Sequence, residues 1–586
     1  MPKLGDHESK DALDTLRHSA AHLLAAAVTD LFPGARYAIG PPVQDGFYYD
    51  FDLDRSLTAD DLPAIERRMR EIVAQDPAFE GQEVSREEAV RTFREMGQDY
   101  KVEILEEIGE GIVTLYRTGR FLDLCRGPHV ASAGALAAFK LLRVAGAYWR
   151  GDESKPMLQR VYGTAWPSKA ELEAYMQALE ESERRDHKRL GKELKLFALD
   201  ERTGAGLPLW LPDGATVRRE LERWIVDEEL ARGYRHVRTP EVARLELFRQ
   251  SGHLELFAEN MYPPMVFKDS GEVLELRPTN CPHHILVYET ELRSHRDLPL
   301  RIAEIGNNWR FERSGTLAGL NRVRAFALDD AHIFCTPEQL QDEVKGAIDL
   351  ALYFSQVLGI EDFRYRLSVK DDVKEKWLGT DEQWARAQRA LAEALDALGQ
   401  TYQVSPGEAA FYGPKIDFQV RDAHRREFTN STVQVDFQLP ERFGLEYVAE
   451  DGSRQRPIMV HRGAAGAMER LFSYLIELYA GAFPLWLAPL QTMVVPITDA
   501  QNEYARSVAG RLGRLRLRVE VDERSERMQR KIRDAQGRKV PYMAVVGARE
   551  AASGRVSVRT RTGEQSDEDV EAFAARLAAE VAEKRR

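Results

Sequence analysis

Alternation of apolar and polar residues at period two is the sequence feature that most constrains the fold of this chain. Two segments show it, Arg364–Lys370 and Val433–Leu439, and this alternation is typical of half-buried antiparallel strands. Both lie within a long segment, residues 198–487, in which aromatic and β-branched runs are separated by turn residues. We therefore predict an antiparallel β-sheet with helices at the centre of the chain.

Different patterns flank this central segment. The residues before it mix short helices with strand-like pieces such as Gly46–Phe51, and residues 168–197 are rich in helix formers with few apolar positions, which predicts an exposed linker helix. Residues 488–586 alternate strands with helices, as a small α/β domain does. At roughly 150 residues per domain, 586 residues allow about four units, so the expected fold class is multidomain α+β.

Composition narrows the setting in which the chain works. No run of roughly 18 apolar residues exists to span a membrane, the first residues hold no apolar segment typical of a secretory signal, and three cysteines are too few for a disulfide framework. We therefore expect a cytoplasmic protein with no membrane partner. A net charge of −13 by itself argues against nucleic acid as a partner.

One group of metal-binding residue types lies near the N-terminus. His18 and His22 are four residues apart in good helical sequence, so they share one helical face, and Cys125 and His129 add a thiol and a third imidazole. These residues could form a tetrahedral zinc site, or a pocket that activates water without a metal. Unrelated polar side chains are the plain alternative.

A second group lies in the central segment. Cys281 follows a strand-like run, His332 lies beside two carboxylates, and His461 precedes a predicted helix. One thiolate and two imidazoles would give zinc three ligands and leave one position open for substrate. His283 and His284 compete for this role, and the wide spacing also fits ordinary, partly buried side chains.

Arginines cluster around a predicted strand–loop–strand unit of the same segment. Arg310 and Glu312 end the first strand, Arg322 begins the second, and Arg470 follows a run of small residues that we expect at the start of a helix. Arginine grips phosphate in a bidentate manner, and helix N-termini attract phosphate. The pattern favours a nucleotide site, although surface ion pairs commonly produce similar runs.

Together these motifs resemble those of the class II aminoacyl-tRNA synthetases, and of the threonyl-tRNA synthetases in particular. Arg310–Glu312 resembles motif 2 of the class, Gly466–Arg470 resembles motif 3, and a helix over residues 218–232 resembles motif 1. His18–Leu24 and Leu124–His129 are similar to the editing domain of that family. The resemblance covers essentially the whole chain. It implies an editing domain (1–167), a linker helix (168–197), a class II catalytic domain (198–487) and an anticodon-binding domain (488–586).

The resemblance implies ATP-dependent ligation of L-threonine to threonine tRNA through a threonyl-adenylate, by a homodimer that uses one Zn²⁺ per subunit, Mg²⁺ and ATP. Zinc would bind the amino and hydroxyl groups of threonine and thereby reject valine, which an apolar pocket separates poorly. Serine also carries a hydroxyl, so mischarged seryl-tRNA would be hydrolysed in the editing domain, where the resemblance disfavours zinc.

The same resemblance assigns roles to individual residues. The implied residues are Arg310, Glu312, Arg322 and Arg470 for catalysis, Cys281, His332 and His461 for the metal, Asp330, Tyr412, Gln434 and Arg310 for substrate, His18, His22, Lys101, Asp123, Cys125 and His129 for editing, and Arg533, Arg549, Glu550 and Arg559 for the anticodon. The resemblance also outweighs the argument that the net charge makes against a nucleic-acid partner, because basic residues concentrate near the C-terminus, as a tRNA-binding face requires. Examples are Arg530, Lys531, Arg538 and Arg555.

Several positions depart from the family pattern. They are Thr279, His283, Ala325, Leu328, Asn430, Ser431 and Ala467, and we expect the N-terminal ubiquitin-like domain of the usual bacterial form to be missing. Neutral drift accounts for such changes, but so do an inhibitor-resistant duplicate, a changed amino-acid preference, or a paralogue that loads a carrier protein or small molecule. A non-catalytic tRNA-binding protein is a further alternative. The retained editing and arginine residues argue against the last two.

Overall fold

A computed structural model describes residues 7–109, 111–152, 154–373 and 376–586, with side chains from residue 11 onward. The chain divides into two compact units, Met1–Glu180 and Glu181–Arg586. Residues 1–6, which the expectation about a secretory signal concerns, lie outside the described part. Within the described ranges no helix is both long and apolar enough to cross a membrane.

The N-terminal unit packs a long helix against two small sheets. Its elements are α1 (His7–Leu31), β1 (Arg36–Tyr37), β2 (Pro42–Val43), β3 (Gly46–Asp52), α2 (Leu62–Gln75), β4 (Phe79–Ser85), α3 (Arg86–Glu95), α4 (Asp99–Glu107), β5 (Ile112–Thr118), β6 (Phe121–Leu124), β7 (Ala138–Tyr148), β8 (Met157–Trp166) and α5 (Lys169–Arg185). One sheet has the order β1-β3-β8-β7 with β2 on β3, and the other has the order β4-β5-β6. The alanine- and leucine-rich stretch of α1 over residues 19–28 is buried, because small and apolar side chains let both sheets approach it.

The segment predicted as one linker helix forms two helices, α5 and α6 (His187–Glu193). Asp186 separates them, because its carboxylate accepts hydrogen bonds from the backbone N–H groups of Lys188 (2.8 Å) and Arg189 (3.1 Å) and so caps the second helix. The α6 helix is also less exposed than expected. His187 is buried, its Nδ1 donates to Glu477 (2.7 Å), and its Nε2 accepts from the backbone N–H of Leu320 (3.2 Å).

The C-terminal unit is built around an eight-stranded sheet with the order β11-β16-β17-β24-β21-β20-β18-β19. The elements up to residue 478 are β9 (Phe197–Ala198), β10 (Leu209–Trp210), α7 (Pro212–Ala231), β11 (Arg235–His236), β12 (Val242–Arg244), α8 (Leu245–Gln250), α9 (His253–Leu256), β13 (Met265–Val266), β14 (Val273–Leu276), α10 (Cys281–Glu289), β15 (Arg293–Ser294), β16 (Leu300–Trp309), β17 (Ala325–Cys335), α11 (Leu340–Val357), β18 (Phe363–Val369), α12 (Asp381–Ala397), β19 (Tyr402–Pro406), β20 (Lys415–Arg421), β21 (Glu427–Asp436), α13 (Gln438–Arg442), β22 (Tyr447–Val448), β23 (Arg454–Gln455), β24 (Ile458–Ala467) and α14 (Met468–Leu478).

This sheet confirms the predicted antiparallel core, since only its two edge pairs, β11 with β16 and β18 with β19, are parallel. Side chains alternate between its two faces. On β17, Ala331, Ile333 and Cys335 are fully buried in a core that includes α11 and α14, whereas Asp330 and His332 point to the other face. Helices therefore close one face, and the other face carries polar side chains.

Two local predictions are wrong. The strand predicted to continue to Leu439 ends at Asp436, because the Asp436 carboxylate accepts hydrogen bonds from the backbone N–H groups of Gln438 (2.6 Å) and Leu439 (3.0 Å) and starts α13. The run of small residues before Arg470 does not open a helix. It lies in β24, and α14 begins only at Met468.

The last part of the chain forms the predicted α/β arrangement. Its elements are β25 (Thr492–Pro496), α15 (Asn502–Arg514), β26 (Val519–Val521), α16 (Met528–Gly537), β27 (Tyr542–Val546), α17 (Ala548–Ser553), β28 (Arg555–Thr560), β29 (Gln565–Asp569) and α18 (Val570–Ala582). The sheet order is β26-β25-β27-β28-β29, with the first three strands parallel. Apolar side chains of α15 and α18 pack on one face, and those of α16 pack on the other.

Close packing at the start of α7 generates a stability prediction. A Cβ atom added at Gly214 would lie 1.9 Å from the carbonyl oxygen of Leu196, so Gly214→Ala must displace the backbone. We expect it to lower the free energy of unfolding by about 1–3 kcal/mol, as measured by urea unfolding. Gly346→Ala is the matched control, because Gly346 is an exposed residue of α11 with open space around it. This variant should instead gain about 0.5–1 kcal/mol. Equal effects at both positions would contradict the packing at Gly214.

Candidate active site

Two neighbouring strands and one helix bring the predicted metal ligands together. His332 on β17 lies directly opposite His461 on β24, and Cys281 is the first residue of α10. Their donor atoms all lie within 4.8 Å of one another, with Cys281 Sγ 3.4 Å from His461 Nδ1. All three side chains are buried. One sulfur and two nitrogens that converge in this way are a donor set that suits zinc.

A carboxylate orients the His461 ring from behind. Nε2 of His461 lies 2.9 Å from Oδ2 of Asp436, so Nδ1 is left facing Cys281. Burial alone would lower the pKa of His461, but the charges of Cys281 and Asp436 outweigh it and raise the pKa to about 10. Metal-binding histidines commonly present one nitrogen to the metal while a carboxylate holds the other.

A longer relay orients His332. Its Nδ1 lies 2.7 Å from Nδ1 of His284, and Nε2 of His284 lies 3.4 Å from Oε2 of Glu304. Nε2 of His332 is buried without a hydrogen-bond partner. If Nδ1 of His332 donates to His284, this unpartnered Nε2 carries a lone pair toward the metal donors, as a ligand must.

The structure separates the two competing histidines. His284 supports His332 from behind, as described above. His283 packs near Phe248, with ring centroids 6.2 Å apart, and it belongs to neither of the two donor groups found among the described residues. Burial lowers the pKa of His283 to about 4, so it is neutral at physiological pH.

A cavity of about 840 Å³ opens beside the metal donors. The predicted substrate residues Asp330, Tyr412 and Gln434 all line it. Asp330 is buried and accepts a hydrogen bond from Asn280 Nδ2 (3.0 Å), and burial raises its pKa. The Tyr412 ring stacks on His461 with centroids 4.6 Å apart, and its hydroxyl donates to Gln434 (2.9 Å). Oxygen acceptors and metal donors thus face one small volume.

The predicted catalytic arginines line the other end of the same cavity. Arg310, at the end of β16, donates from Nε to the carbonyl oxygen of Pro278 (3.2 Å), and its guanidinium lies between the rings of Phe257 and Phe326, 5.4 and 5.0 Å from their centroids. Burial lowers the pKa of Arg310. Flat rings and a carbonyl hold this cation at the cavity wall, and the charge of Glu312 partly opposes the effect of burial on its pKa. Its guanidinium can therefore meet an anion in the cavity.

Two further arginines add positive charge beside Arg310. Arg322 pairs with Glu312 (2.8 Å), and Arg470 donates to the carbonyl oxygens of Asn321 (3.2 Å) and Thr429 (3.0 Å). Burial, followed by the charges of Arg310 and Arg322, lowers the pKa of Arg470 to about 10. Positive charge crowded around Arg470 in this way would be stabilised by a polyanion such as a nucleotide triphosphate.

The N-terminal unit brings the second predicted group together. His18 and His22 lie on one face of α1, and Cys125 follows β6. Sγ of Cys125 is 3.2 Å from Nε2 of His18 and 3.2 Å from Nε2 of His129, and the four donor atoms lie within 4.8 Å of one another. A cavity of about 730 Å³ opens over His18, His22 and Cys125.

Burial keeps this cluster uncharged. It lowers the pKa of His18, and together with the neighbouring histidines it lowers the pKa of His129 to about 2. Burial also raises the pKa of the Cys125 thiol to about 11. Neutral imidazoles retain a lone pair that can accept a proton from water or bind a metal.

Asp123 is the hub of the charges next to this cluster. Its carboxylate lies 2.6 Å from Nζ of Lys101 and 3.4 Å from Nε2 of His22, and it accepts a hydrogen bond from the hydroxyl of Tyr49 (2.5 Å). Lys101 and Asp123 are both buried. Lys101 and Asp123, predicted from the resemblance, thus adjoin the histidines, whereas the role of Tyr49 was missed because a tyrosine in a strand reads as core.

The predicted anticodon residues occupy the last sheet and its helices. Arg559 lies opposite Met543 across β27 and β28, and cross-strand partners share a face, so Arg559 shares the face covered by α16, on which Arg533 is exposed. Arg549 and Glu550 begin α17 and pair with each other at 2.9 Å. Glu550 also accepts from the backbone N–H of Gly547 (2.9 Å) and so caps its own helix.

The predicted positive face is less free than the sequence indicated. Lys531 is buried, and its Nζ donates to the carbonyl oxygen of Pro496 (3.1 Å). Arg530 pairs with Glu526 (2.9 Å), and Arg538 pairs with Glu520 (2.6 Å). The clustering of basic residues in the sequence therefore overstated the exposed positive charge, because Lys531 faces the core and Arg530 and Arg538 face acidic neighbours.

Three family models match the chain. The tRNA synthetase class II core domain (G, H, P, S and T) matches residues 265–479, which carry the metal donors and the arginines. The Threonyl and Alanyl tRNA synthetase second additional domain matches residues 113–162, which include Cys125 and His129. The Anticodon binding domain matches residues 491–580.

Curated relatives extend these matches to nearly the whole chain. A Threonine–tRNA ligase of Geobacillus kaustophilus is 50% identical over 580 residues, which are 98% of this chain and 88% of the relative. The chain belongs to the threonine–tRNA ligase family. Threonine–tRNA ligase 1 of Bacillus subtilis is also 50% identical, over 96% of this chain and 87% of its own length.

Solved structures of the family agree with the fold. The RNA binding domain of threonyl-tRNA synthetase from Cryptosporidium parvum aligns with a TM-score of 0.64 and 38% identity, over 67% of this chain and 98% of its own. A putative threonyl-tRNA synthetase, ThrRS-1, from Aeropyrum pernix aligns with a TM-score of 0.58 and 28% identity, over 68% and 96%.

Most of the positions expected to depart from the threonine–tRNA ligase pattern lie around one cavity. Leu328 lies directly opposite Ala467 across β17 and β24, and both line the cavity, as do Thr279 and Asn430. His283 and Ala325 are not among the lining residues, and nothing in the structure explains the Ala325 substitution. Ser431 is buried and donates to the carbonyl oxygen of Ala464 (2.5 Å).

A buried ionic group beneath the cavity was missed by the sequence analysis. Arg462 is fully buried and donates to Asp329 (2.7 Å) and to Glu229 at the end of α7. Asp329 also accepts from the backbone N–H of Ala465 (2.7 Å), where β17 and β24 are out of regular register. A signal was available, since Asp329 and Arg462 are charged residues in phase with core-facing positions such as Ala331.

Two more polar residues of this threonine–tRNA ligase family member escaped the sequence analysis. His253 lines the large cavity, is buried, and bonds through Nδ1 to Ser251 (2.8 Å). Ser19 lies between the two histidines of α1, and its hydroxyl meets Nδ1 of His129 at 3.1 Å. Neither is recognisable without structure, because each gains its role from a contact with a distant segment or from the position of a cavity.

The relay behind His332 generates a pH prediction. Burial would raise the pKa of Glu304, but hydrogen bonds from His284 and Thr239 and the charge of Arg277 lower it to about 2. A carboxyl whose folded pKa lies below its usual value stabilises the fold above that usual value, near pH 4.3, and loses this contribution as the pH falls toward about 2. Glu304→Gln should therefore cost about 2–3 kcal/mol at neutral pH, and the difference from wild type should shrink below about pH 4.

Urea unfolding of both proteins across this pH range measures the effect. Glu193→Gln is the control, because Glu193 forms an exposed pair with Arg189 and should change stability by less than about 0.5 kcal/mol. A Glu304→Gln deficit that stays constant from neutral to acidic pH would contradict the role given to the ionised carboxylate.

Proposed function

We propose that this chain is an ATP-dependent threonine–tRNA ligase that activates L-threonine as an adenylate, transfers it to threonine tRNA, and hydrolyses mischarged seryl-tRNA in its N-terminal unit. One observation carries the proposal. The Cys281 and His461 donors, the Asp330 carboxylate and Arg310 face one cavity, and His332 completes the donor group beside it. A metal and carboxylate that read an amino acid thus adjoin a cation that reads a phosphate.

The donor set fits a zinc ion, because Nε2 of His332 is buried without a partner and the Asp436 and Glu304 carboxylates orient the two rings. Cys281, His332 and His461 would hold it. Bound zinc supplies a Lewis-acid position that takes an amino or hydroxyl group in preference to a methyl group.

Residues of the chain itself complete the selection of threonine. Asp330 Oδ1 lies 4.0 Å from Nε2 of His332, so its carboxylate is placed to accept a hydrogen bond from a hydroxyl or ammonium group beside the metal donors. Valine offers no hydroxyl, so Oδ1 of this buried carboxylate would lack the donor that threonine supplies, while Oδ2 keeps its hydrogen bond from Asn280. An acceptor left without its donor costs far more than a missing methylene. Serine satisfies the same acceptor and is therefore admitted.

The arginines serve the phosphates of ATP. Arg310 would contact the α-phosphate and stabilise the charge that develops as the carboxylate attacks, while Arg322 and Arg470 bind the remaining phosphates with Mg²⁺. Glu312 orients Arg322 through the 2.8 Å ion pair. An anion that enters the cavity would offset the burial and the neighbouring positive charges that lower the pKa of Arg470.

The N-terminal unit suits ester hydrolysis without a metal. His18 lines the cavity, and its neutral imidazole can accept a proton from a water that attacks the seryl ester. The ion pair of Lys101 and Asp123 (2.6 Å) fixes two opposite charges beside this histidine. Cys125 stays protonated because burial raises its pKa, so it donates a hydrogen bond rather than acting as a nucleophile.

Further parts of the proposal rest on membership of the threonine–tRNA ligase family. Arg533, Arg549, Glu550 and Arg559 would read the anticodon, and the working form would be a cytoplasmic homodimer. We also propose the editing, linker, catalytic and anticodon-binding divisions at residues 167, 197 and 487. The relatives described above are all named for threonine, which favours this reaction over a carrier protein or another acceptor.

Replacement of one metal ligand tests the synthetic site, that is, the large cavity with Cys281, Asp330 and Arg310. The wild-type chain should contain one zinc, and Cys281→Ser should lose it and lose threonine-dependent ATP–pyrophosphate exchange. Cys335→Ala is the control, because Cys335 is buried on the core face of the same strand as His332 and should keep the metal. Metal retention in Cys281→Ser would refute the ligand set, and no exchange by the wild type with threonine, serine or valine would refute the ligase.

Removal of one imidazole tests the hydrolytic site. His18→Ala should slow hydrolysis of seryl-tRNA on the order of 100-fold or more, while charging with threonine stays unchanged, because His18 lies in the separate N-terminal unit. Both rates follow from deacylation and aminoacylation assays with the same tRNA. A second zinc per wild-type chain, lost in His18→Ala, would replace the metal-free interpretation with a metal site.

A further inference from the structure

Four consecutive residues before and at the start of α10 contact three different parts of the synthetic site. The carbonyl oxygen of Pro278 accepts from Arg310 (3.2 Å), and Nδ2 of Asn280 donates to Asp330 (3.0 Å). Cys281 supplies the sulfur of the metal donors. Between them, the hydroxyl oxygen of Thr279 lies 3.2 Å from Sγ of Cys281. The segment thus joins the phosphate-binding, substrate-binding and metal-binding residues in one short stretch of backbone.

The contact between Thr279 and Cys281 has a defined direction once the sulfur is a metal ligand. A cysteine that binds a metal is a thiolate and has no hydrogen to donate, so the Thr279 hydroxyl must be the donor. The other close polar contact of this sulfur in the described part of the chain is Nδ1 of His461 at 3.4 Å, which is itself a metal donor. Thr279 is therefore the donor to the thiolate from outside the ligand set.

We propose that Thr279 is a positioning residue for the metal, whose hydroxyl donates a hydrogen bond to the Cys281 thiolate and strengthens zinc binding. The inference rests on the zinc site proposed above. Residues that hold a ligand from outside the coordination sphere typically contribute 10–100-fold to metal affinity. Thr279 is half-buried and lines the cavity beside the metal donors.

This hydrogen bond also withdraws charge from the sulfur. Thiolate that donates less charge leaves the metal a stronger Lewis acid toward the ligand in its open position, which is the position assigned to the amino acid. Thr279 would thus act on the metal through a single atom, Sγ of Cys281. Leu328 and Ala467 instead lie opposite each other across β17 and β24.

Three variants test the hydroxyl. Thr279→Val keeps the shape and removes the donor, Thr279→Ala removes donor and branching together, and Thr279→Ser keeps the donor. Each full-length chain is stripped of metal, and its zinc affinity is measured by competition with a chelator. Each is then loaded with Co²⁺, and the sulfur-to-cobalt charge-transfer band is recorded. We expect about tenfold weaker zinc binding in Thr279→Val and Thr279→Ala, a band shifted to longer wavelength, and values near wild type in Thr279→Ser.

The outcomes separate this inference from the proposed function. Wild-type zinc affinity and an unshifted cobalt band in both Thr279→Val and Thr279→Ala would overturn the inference and leave the zinc site standing. A wild-type chain that binds neither metal would overturn both. Weaker binding with an unshifted band, unrescued in Thr279→Ser, would show a packing effect and would also overturn the proposed hydrogen bond.

Discussion

The pairing of β17 with β24 is the constraint on which the rest of the synthetic site depends. It sets His332 opposite His461, and because side chains alternate at period two, a slip of one residue in either strand would turn its imidazole into the helix-covered core, away from the other imidazole. The buried Arg462, held between Asp329 and Glu229, opposes such a slip. A buried charge left without its partners costs several kcal/mol. The ionic group beneath the sheet and the metal donors above it therefore fix the same register from opposite faces.

Both sites use histidine and cysteine, but burial and neighbouring charge give these residues different chemistry. In the synthetic site, Asp436 stands behind His461, and Glu304 stands behind His332 through His284, so that the opposite nitrogen of each ring faces the metal donors. In the N-terminal unit no carboxylate lies within hydrogen-bond distance of His18 or His129 among the described residues, and Asp123 is shared by Lys101, Tyr49 and His22. Carboxylate support raises the basicity of a metal-binding imidazole, whereas neutral, desolvated imidazoles suit proton transfer. The same residue types would thus serve metal coordination in the proposed zinc site and hydrolysis in the proposed editing site.

Much of the fold was predictable from the sequence, because it depends on local periodicity. The alternation in Arg364–Lys370 identified a strand of the central sheet, and the strand–helix alternation after residue 488 identified the C-terminal sheet. The metal donors were not predictable from spacing, since Cys281, His332 and His461 meet only through strand pairing. They were identified by resemblance. Lys531 shows the converse error, because a charged residue in a helix reads as exposed until its neighbours are known. The end of β21 at Asp436 was missed because side-chain capping competes with strand propensity.

The contacts of His187 bear on how the parts of such a chain can be exchanged during evolution. His187 follows the break between α5 and α6, yet it accepts a hydrogen bond from the loop that carries the phosphate-binding arginines and donates one to Glu477 in α14. The second half of the linker, α6, is therefore part of the catalytic unit rather than a simple connection to it. An N-terminal module could be lost, swapped or recombined without disturbing adenylate chemistry only if the junction falls before Ser182, because Ser182 also hydrogen-bonds with His424 (3.2 Å) and Arg185 donates to the carbonyl oxygen of Leu478 (3.3 Å). Recombination points within this lineage should accordingly map to the first part of α5 and avoid its last residues and α6.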